Sequence, residues 1–156
     1  QGDDSGIYDK KGSFGNLPSG EAFLAPVEKT CNGTYVVDAS FGGIGKLNSP
    51  IKVVVKDGYA VDFFGEDAGK LKEILEKFGK EAGNIAELGI GTNANAIITG
   101  NILEDEKVFG TCHIALGNNS GFGGKVDVPI HLDGIIKNPT IYVDNKKIMD
   151  DGKLIV

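Results

Sequence analysis

Glycine sets the terms for this chain: 24 of its 156 residues are Gly, with no fixed period or low-complexity tract to account for them. That is well above the ~7% usual in proteins, and without a repeat it fits neither a collagen-like nor a solenoid architecture. Glycine weakens helix and strand interiors and opens turns, so the residues between them read as many short elements.

Thr34–Ala39 is a β-rich run, and Ile51–Lys56 and Tyr59–Phe63 flank Asp57-Gly58 as a hairpin whose turn demands positive φ. From Glu66 the period changes: Leu71, Ile74, Leu75 and Phe78 recur at helical spacing, with Lys70, Lys72, Glu73, Glu76 and Lys77 on the other side and Gly79 or Gly83 to end the helix. Ile85–Gly89 and Gly110–Gly117 read as buried strands, Glu104–Lys107 as a helical turn, and Asn118–Lys125 as a loop. Further strands are expected around Val128–Leu132, Thr140–Val143 and Lys147–Met149, the last two joined by Asp144-Asn145. The fold class predicted is α+β, with one principal helix against a mixed, largely antiparallel sheet.

Residues 1–156 are the length of a single domain. A net charge of −6, with all 16 cations scattered lysines, excludes the basic stripe that nucleic-acid binding requires. The longest apolar runs are far below the ~20 residues needed to cross a bilayer, and residues 1–19 carry no signal-peptide core. Cys31 and Cys112 lack C-x-x-C spacing, so reduced thiols and a cytoplasmic location are expected. A start at Gln1, in a polar Gly/Asp stretch, suggests a portion of a longer protein.

Both histidines sit in short apolar strands beside glycines. His131 and Asp133, two apart, project to one strand face and offer an imidazole nitrogen and a carboxylate to one cation, and His113 from another strand could add a third donor. Glu21 and Glu87 lie among apolar residues and glycines, where a lone buried carboxylate costs several kcal/mol. Arginine is absent, so either lysines come inward or a metal does. Glu21, Glu87 and Asp133 bring −3, which two divalent cations with one hydroxide would neutralise. The plainer alternatives are hydrogen-bonded core histidines, and glutamates paired with lysines or exposed in turns. The run Glu104-Asp105-Glu106-Lys107 reads as a solvated helical face. Cys112 alternates away from His113, which removes a Cys-His nucleophile. Gly89-Ile-Gly91 lacks the following helix and distant acid of a dinucleotide fold, so these glycines are assigned to turns or to close backbone approach at a site.

Leu17–Pro26, Ala86–Asn93, Ile102–Lys107, Gly110–Gly117 and His131–Gly134 together resemble the thermophilic, aminopeptidase T-type metallo-aminopeptidases, in that family's order and over nearly the whole chain. The resemblance implies the C-terminal, metal-carrying portion of a longer, cytoplasmic, dimeric enzyme that hydrolyses N-terminal residues from peptide substrates. It implies two divalent ions, zinc, cobalt or manganese, on Glu21, Glu87, His113, His131 and Asp133, with Glu87 or Glu21 as the catalytic carboxylate. One departure stands out: family members carry a tyrosine shortly after the first motif histidine, and Asn118–Gly124 has none. Two alternatives follow. Two histidines and one aspartate also make the facial triad of non-haem Fe(II) oxygenases, and a ring-cleaving dihydroxypyridine dioxygenase is similar to this peptidase family. A metal-binding fragment without activity of its own is the third.

Overall fold

The computed structural model describes residues 2–155. In chain order the elements are β1 (Gly2–Asp4), β2 (Glu21–Leu24), β3 (Gly33–Val37), β4 (Ser40–Phe41), β5 (Gly45–Lys46), β6 (Ile51–Lys56), β7 (Tyr59–Phe64), α1 (Ala68–Glu76), β8 (Ile85–Gly91), α2 (Ile102–Asp105), β9 (Thr111–Gly117), β10 (His131–Lys137), β11 (Ile141–Val143), β12 (Lys146–Asp150) and β13 (Lys153–Leu154). Seven strands form one sheet in the order β1-β2-β8-β9-β10-β4-β5, while β3-β6-β7 and β11-β12-β13 make two smaller sheets. Among the described residues every strand pairing is antiparallel, and one isolated bridge, Asn93 with Val108, is parallel, in keeping with the expected α+β fold and its largely antiparallel sheet.

Alternation decides which face of each strand is buried. Ile51, Val53 and Val55 of β6 point inward and pack with Leu71 and Leu75 of α1, Leu116 of β9 and Leu132 of β10. This core lies between one face of the large sheet, the β3-β6-β7 sheet and α1. Gly134 lets β10 approach it closely, since a Cβ there would lie 2.7 Å from Val37 Cγ2 and 3.0 Å from Phe41 Cε2. The opposite face of the large sheet is left for chemistry.

Both short hairpins form at the turns the sequence marks. Asp57 and Gly58 take φ of 48° and 79°, and Asp144 and Asn145 take 48° and 65°, the twist that suits two-residue connections. Two expectations shift, and one strand was not expected. Helix α1 stops at Glu76 because Gly79, at φ 75°, turns the chain, so Phe78 leaves the apolar stripe and is 38% exposed. The strand expected around Val128–Leu132 begins only at His131: Pro129 has no N–H for a ladder, and Ile130 donates to Val128 O within the loop. Glu21–Leu24, where Pro18, Gly20 and Pro26 mask the pattern, is a strand of the main sheet.

Candidate metal centre

The antiparallel register brings five distant residues onto one sheet face. Gly91 of β8 opposes Glu21 of β2, Gly89 opposes His113 of β9, and Ala115 and Gly117 of β9 oppose Asp133 and His131 of β10. Glu87, two residues before Gly89, shares that face. All five sequence-predicted residues therefore meet.

His113 stands on β9 and Glu21 on β2, with β8 between them. The imidazole crosses because position 89 has no side chain: a Cβ there would lie 2.0 Å from His113 Nε2. Nε2 then sits 3.2 Å from Glu87 Oε1 and 3.3 Å from Glu21 Oε2. His131 Nε2 lies 3.4 Å from both Glu87 Oε2 and Asp133 Oδ1, while its Nδ1 is 2.7 Å from the Asn118 carbonyl. That carbonyl accepts from Nδ1–H and turns Nε2 toward the carboxylates, the tie that orients metal-binding imidazoles. The Asn118–Lys125 loop is held by buried Asn119, whose Oδ1 accepts from the Val126 N–H, and by Glu28, which accepts from the Lys125 N–H.

Lys107 and Glu106 were not expected here. The acidic run is buried rather than solvated: Asp105 is 0%, Glu106 7% and Lys107 1% exposed. Asp105 accepts from Ser40 Oγ and from the Thr99 and Gly100 N–H groups, which anchors α2 under the cleft. Lys107 Nζ donates to Glu21 Oε1 and to Glu106 Oε1 at 2.6 Å. Gly91 clears its path, since a Cβ there would meet Val108 O at 2.1 Å. The glycines of the Gly-Ile-Gly run thus make room for His113 and for the segment that carries Lys107.

Charge dominates the electrostatics. Burial opposes ionisation of Glu21, but His113 beside it and the Lys107 ammonium outweigh it and hold the carboxyl below its usual range. Glu87 is likewise held down by His113 and His131 against burial. Burial also disfavours the imidazolium forms, yet the carboxylates push His113 up to about 10 and His131 up to about 11. Burial, reinforced by the Asp133 charge, raises Glu106 to about 7. The cluster draws positive charge to itself.

A metal ion fits this donor chemistry. Among the described residues, two sets of donor atoms lie within 4.8 Å of one another, Glu21-Glu87-His113 and Glu87-His131-Asp133. They share Glu87, and the triad of both histidines with Asp133 is not itself one of the sets. Separations of 3.2–3.4 Å suit ligands placed ~2.0–2.2 Å from a common ion. Glu21 Oε2 and His113 Nδ1 are buried with no hydrogen-bond partner among the described residues. Glu21, Glu87, His131 and Asp133 line a cleft of about 500 Å³ with Glu106, Ile102, Leu103 and Phe122, while His113 lies behind it, fully buried. The Phe122 ring meets His131 edge-on at 5.9 Å.

Over residues 2–156 the chain matches the family model described as 2,5-dihydroxypyridine 5,6-dioxygenase. The chain belongs to the 2,5-dihydroxypyridine 5,6-dioxygenase family. It is similar to 2,5-dihydroxypyridine 5,6-dioxygenase of Pseudomonas putida, 27% identical over 169 residues that span 96% of the chain and 47% of that protein. The chain thus spans about half the length of the curated relative it matches. The solved structure of 2,5-dihydroxypyridine dioxygenase from Pseudomonas putida shares the fold with a TM-score of 0.78 and 24% identity, over 85% of this chain and 42% of that one. Wild-type AmpT from Thermus thermophilus shares it with a TM-score of 0.67 and 23% identity, over 90% and 41%.

These findings correct the main functional expectation. The aminopeptidase T-type likeness holds for the fold, while membership of the dioxygenase family overturns the aminopeptidase, hydrolase and metalloprotease assignments. The homologues point to an enzyme of the oxidoreductase class. Phe122, near His131, offers no phenol to the site. No helix among the described residues is long and apolar enough to cross a membrane.

Proposed function

We propose that this chain holds one divalent, redox-active cation, iron(II), and serves ring-opening dioxygenation of a dihydroxylated pyridine ring. The observation that carries the proposal is the family match along the chain, and the donor cluster beside the cleft supports it. His131 and Asp133 at the cleft wall, Glu87 between the two imidazoles, and His113 behind are the residues that would hold the ion. A bound ferrous ion supplies the one-electron chemistry that joins dioxygen to an electron-rich ring.

The protein's own groups prepare that site. Glu21, Glu87, Asp133 and Glu106 bring four negative charges and Lys107 one positive. One divalent ion, with a proton kept on Glu106, neutralises the set. Asn118 fixes the tautomer of His131. Ile102, Leu103, Phe23 and Phe122 give the cleft an apolar lining for a flat ring. Glu106, raised to about 7, holds or releases a proton at its carboxyl as a ring hydroxyl arrives.

An oxygen electrode tests this directly. Iron(II)-loaded protein given 2,5-dihydroxypyridine should consume about one O2 per ring, and His131→Ala should abolish the uptake. Loaded protein that binds the ring without consuming oxygen would refute the assignment.

A further inference from the structure

Lys107 puts a positive charge inside the donor cluster before any metal arrives. Its ammonium is 1% exposed and surrounded by carboxylates, with Glu21 Oε1 at 2.5 Å, Glu106 Oε1 at 2.6 Å and Asp4 Oδ2 at 3.8 Å. Glu21 is divided, one oxygen on the ammonium and the other facing His113 Nε2 at 3.3 Å. An ammonium is a compact point charge with donors that turn toward whichever oxygens surround it. A divalent ion on Glu21 Oε1 would have to displace it or sit against a like charge.

The backbone keeps it there. The Asn93 N–H donates to Lys107 O at 2.8 Å, the Phe109 N–H donates back to Asn93 O at 3.0 Å, and the missing side chain at Gly91 lets this segment lie flat on β8. The preceding turn is anchored through Asp105 to Ser40, Thr99 and Gly100. Lys107 is therefore fixed toward Glu21 by main-chain bonds independent of the donors.

We propose that the Lys107 ammonium takes the place of a second metal ion and sets the capacity of this five-donor cluster at one divalent cation per chain. The proposal rests on the reading above only in requiring that the cluster bind a metal. Two sets sharing Glu87 could hold a pair of ions. With Lys107 present, one Glu21 oxygen is held by the ammonium and an ion on the other would sit against a like charge, so the single ion goes to Glu87, His131 and Asp133 with His113 behind. Removing the ammonium leaves Asp4, Glu21, Glu87, Glu106 and Asp133 with no fixed cation, a charge that a second divalent ion offsets.

The test is a count. Equilibrium dialysis against manganese(II), with elemental analysis of the 156-residue chain, should give one ion in the wild type, two in Lys107→Gln and one in Lys107→Arg. Spin coupling between manganese ions should appear in the spectrum of Lys107→Gln alone. A wild-type count of zero or two overturns the proposal, as does a folded Lys107→Gln that still binds one. Should Lys107→Gln not fold, Glu21→Gln decides: it should keep one ion with affinity within about threefold, and a loss beyond about tenfold overturns the proposal. Failure of the dioxygenase reading looks different: the metal count stands and oxygen is not consumed.

Discussion

Gly89→Ala probes how the site is assembled, because the glycine's only contribution is space. The added methyl carbon would stand 2.0 Å from His113 Nε2 and 2.2 Å from Cε1, where ordinary contact begins at 3.4 Å. The ring must retreat by about 1.4 Å, since the obstacle is fixed backbone on one side and the packed β9 strand on the other. That opens its contacts to Glu21 and Glu87, now 3.3 and 3.2 Å. Overpacking of this kind costs ~1–3 kcal/mol, and a lost hydrogen bond to a charged group ~1.5–3 kcal/mol. The sum of ~2.5–6 kcal/mol, at ~2–4 °C per kcal/mol for a domain of this size, lowers the Tm by roughly 5–24 °C. Metal affinity should fall by ~10–100-fold, as when an imidazole's orientation is lost. Thermal unfolding of the metal-free protein and dialysis against manganese(II) measure the two effects. Gly69→Ala in α1 is the control, because nothing lies within 4 Å of its Cβ, and it should gain ~0.5–1 kcal/mol. If Gly89→Ala melts within about 2 °C of the wild type and binds metal equally well, His113 does not reach across β8 and the assembly described above is wrong.

Asp105→Ala leaves Ser40 Oγ and the Thr99 and Gly100 N–H groups without their buried acceptor. It should cost ~3 kcal/mol or more, read as a lower urea midpoint; an unchanged midpoint would mean that α2 is not held this way. In the metal-free protein His113 and His131 are raised to about 10 and 11, so the stability they contribute is complete below an unfolded-state pKa of ~6.5 and is lost as pH rises through 10–11. Melting in the presence of a chelator should therefore fall steadily from pH 7 to 10, and a flat profile in that window would contradict the coupling of both imidazoles to the carboxylates. Metal affinity should rise over the same window, because the ion displaces those protons.

The side chains that meet on the sheet face were legible because each carries a local physical signature. His131-x-Asp133 states its shared face by strand alternation alone, and Glu21 and Glu87 are carboxylates set among apolar residues and glycines in a chain without arginine. The turns at Asp57-Gly58 and Asp144-Asn145 were legible for the same reason, since their backbone demand is met within two residues. What failed depended on tertiary placement. Glu106-Lys107 has the composition of a solvated helical face, and only the stacking of that segment on Gly91 buries it. The absence of arginine implied that a lysine or a metal must enter, but nothing local separates Lys107 from the other fifteen lysines. The Asn118 carbonyl that orients His131 is main chain, so no side-chain pattern announces it. The scaffold could not divide peptidase from dioxygenase, because both fold relatives share it.

Metal content after substitution of the residues at the cleft bears most directly on the convergence of these side chains on an ion. Wild-type protein reconstituted with iron(II) under anaerobic conditions should retain one equivalent through desalting, while His131→Ala and Asp133→Ala, folded by circular dichroism, should retain less than about one tenth, as expected when a buried donor set loses a ligand. Equal iron in the wild type and both variants would place the ion elsewhere and contradict the site.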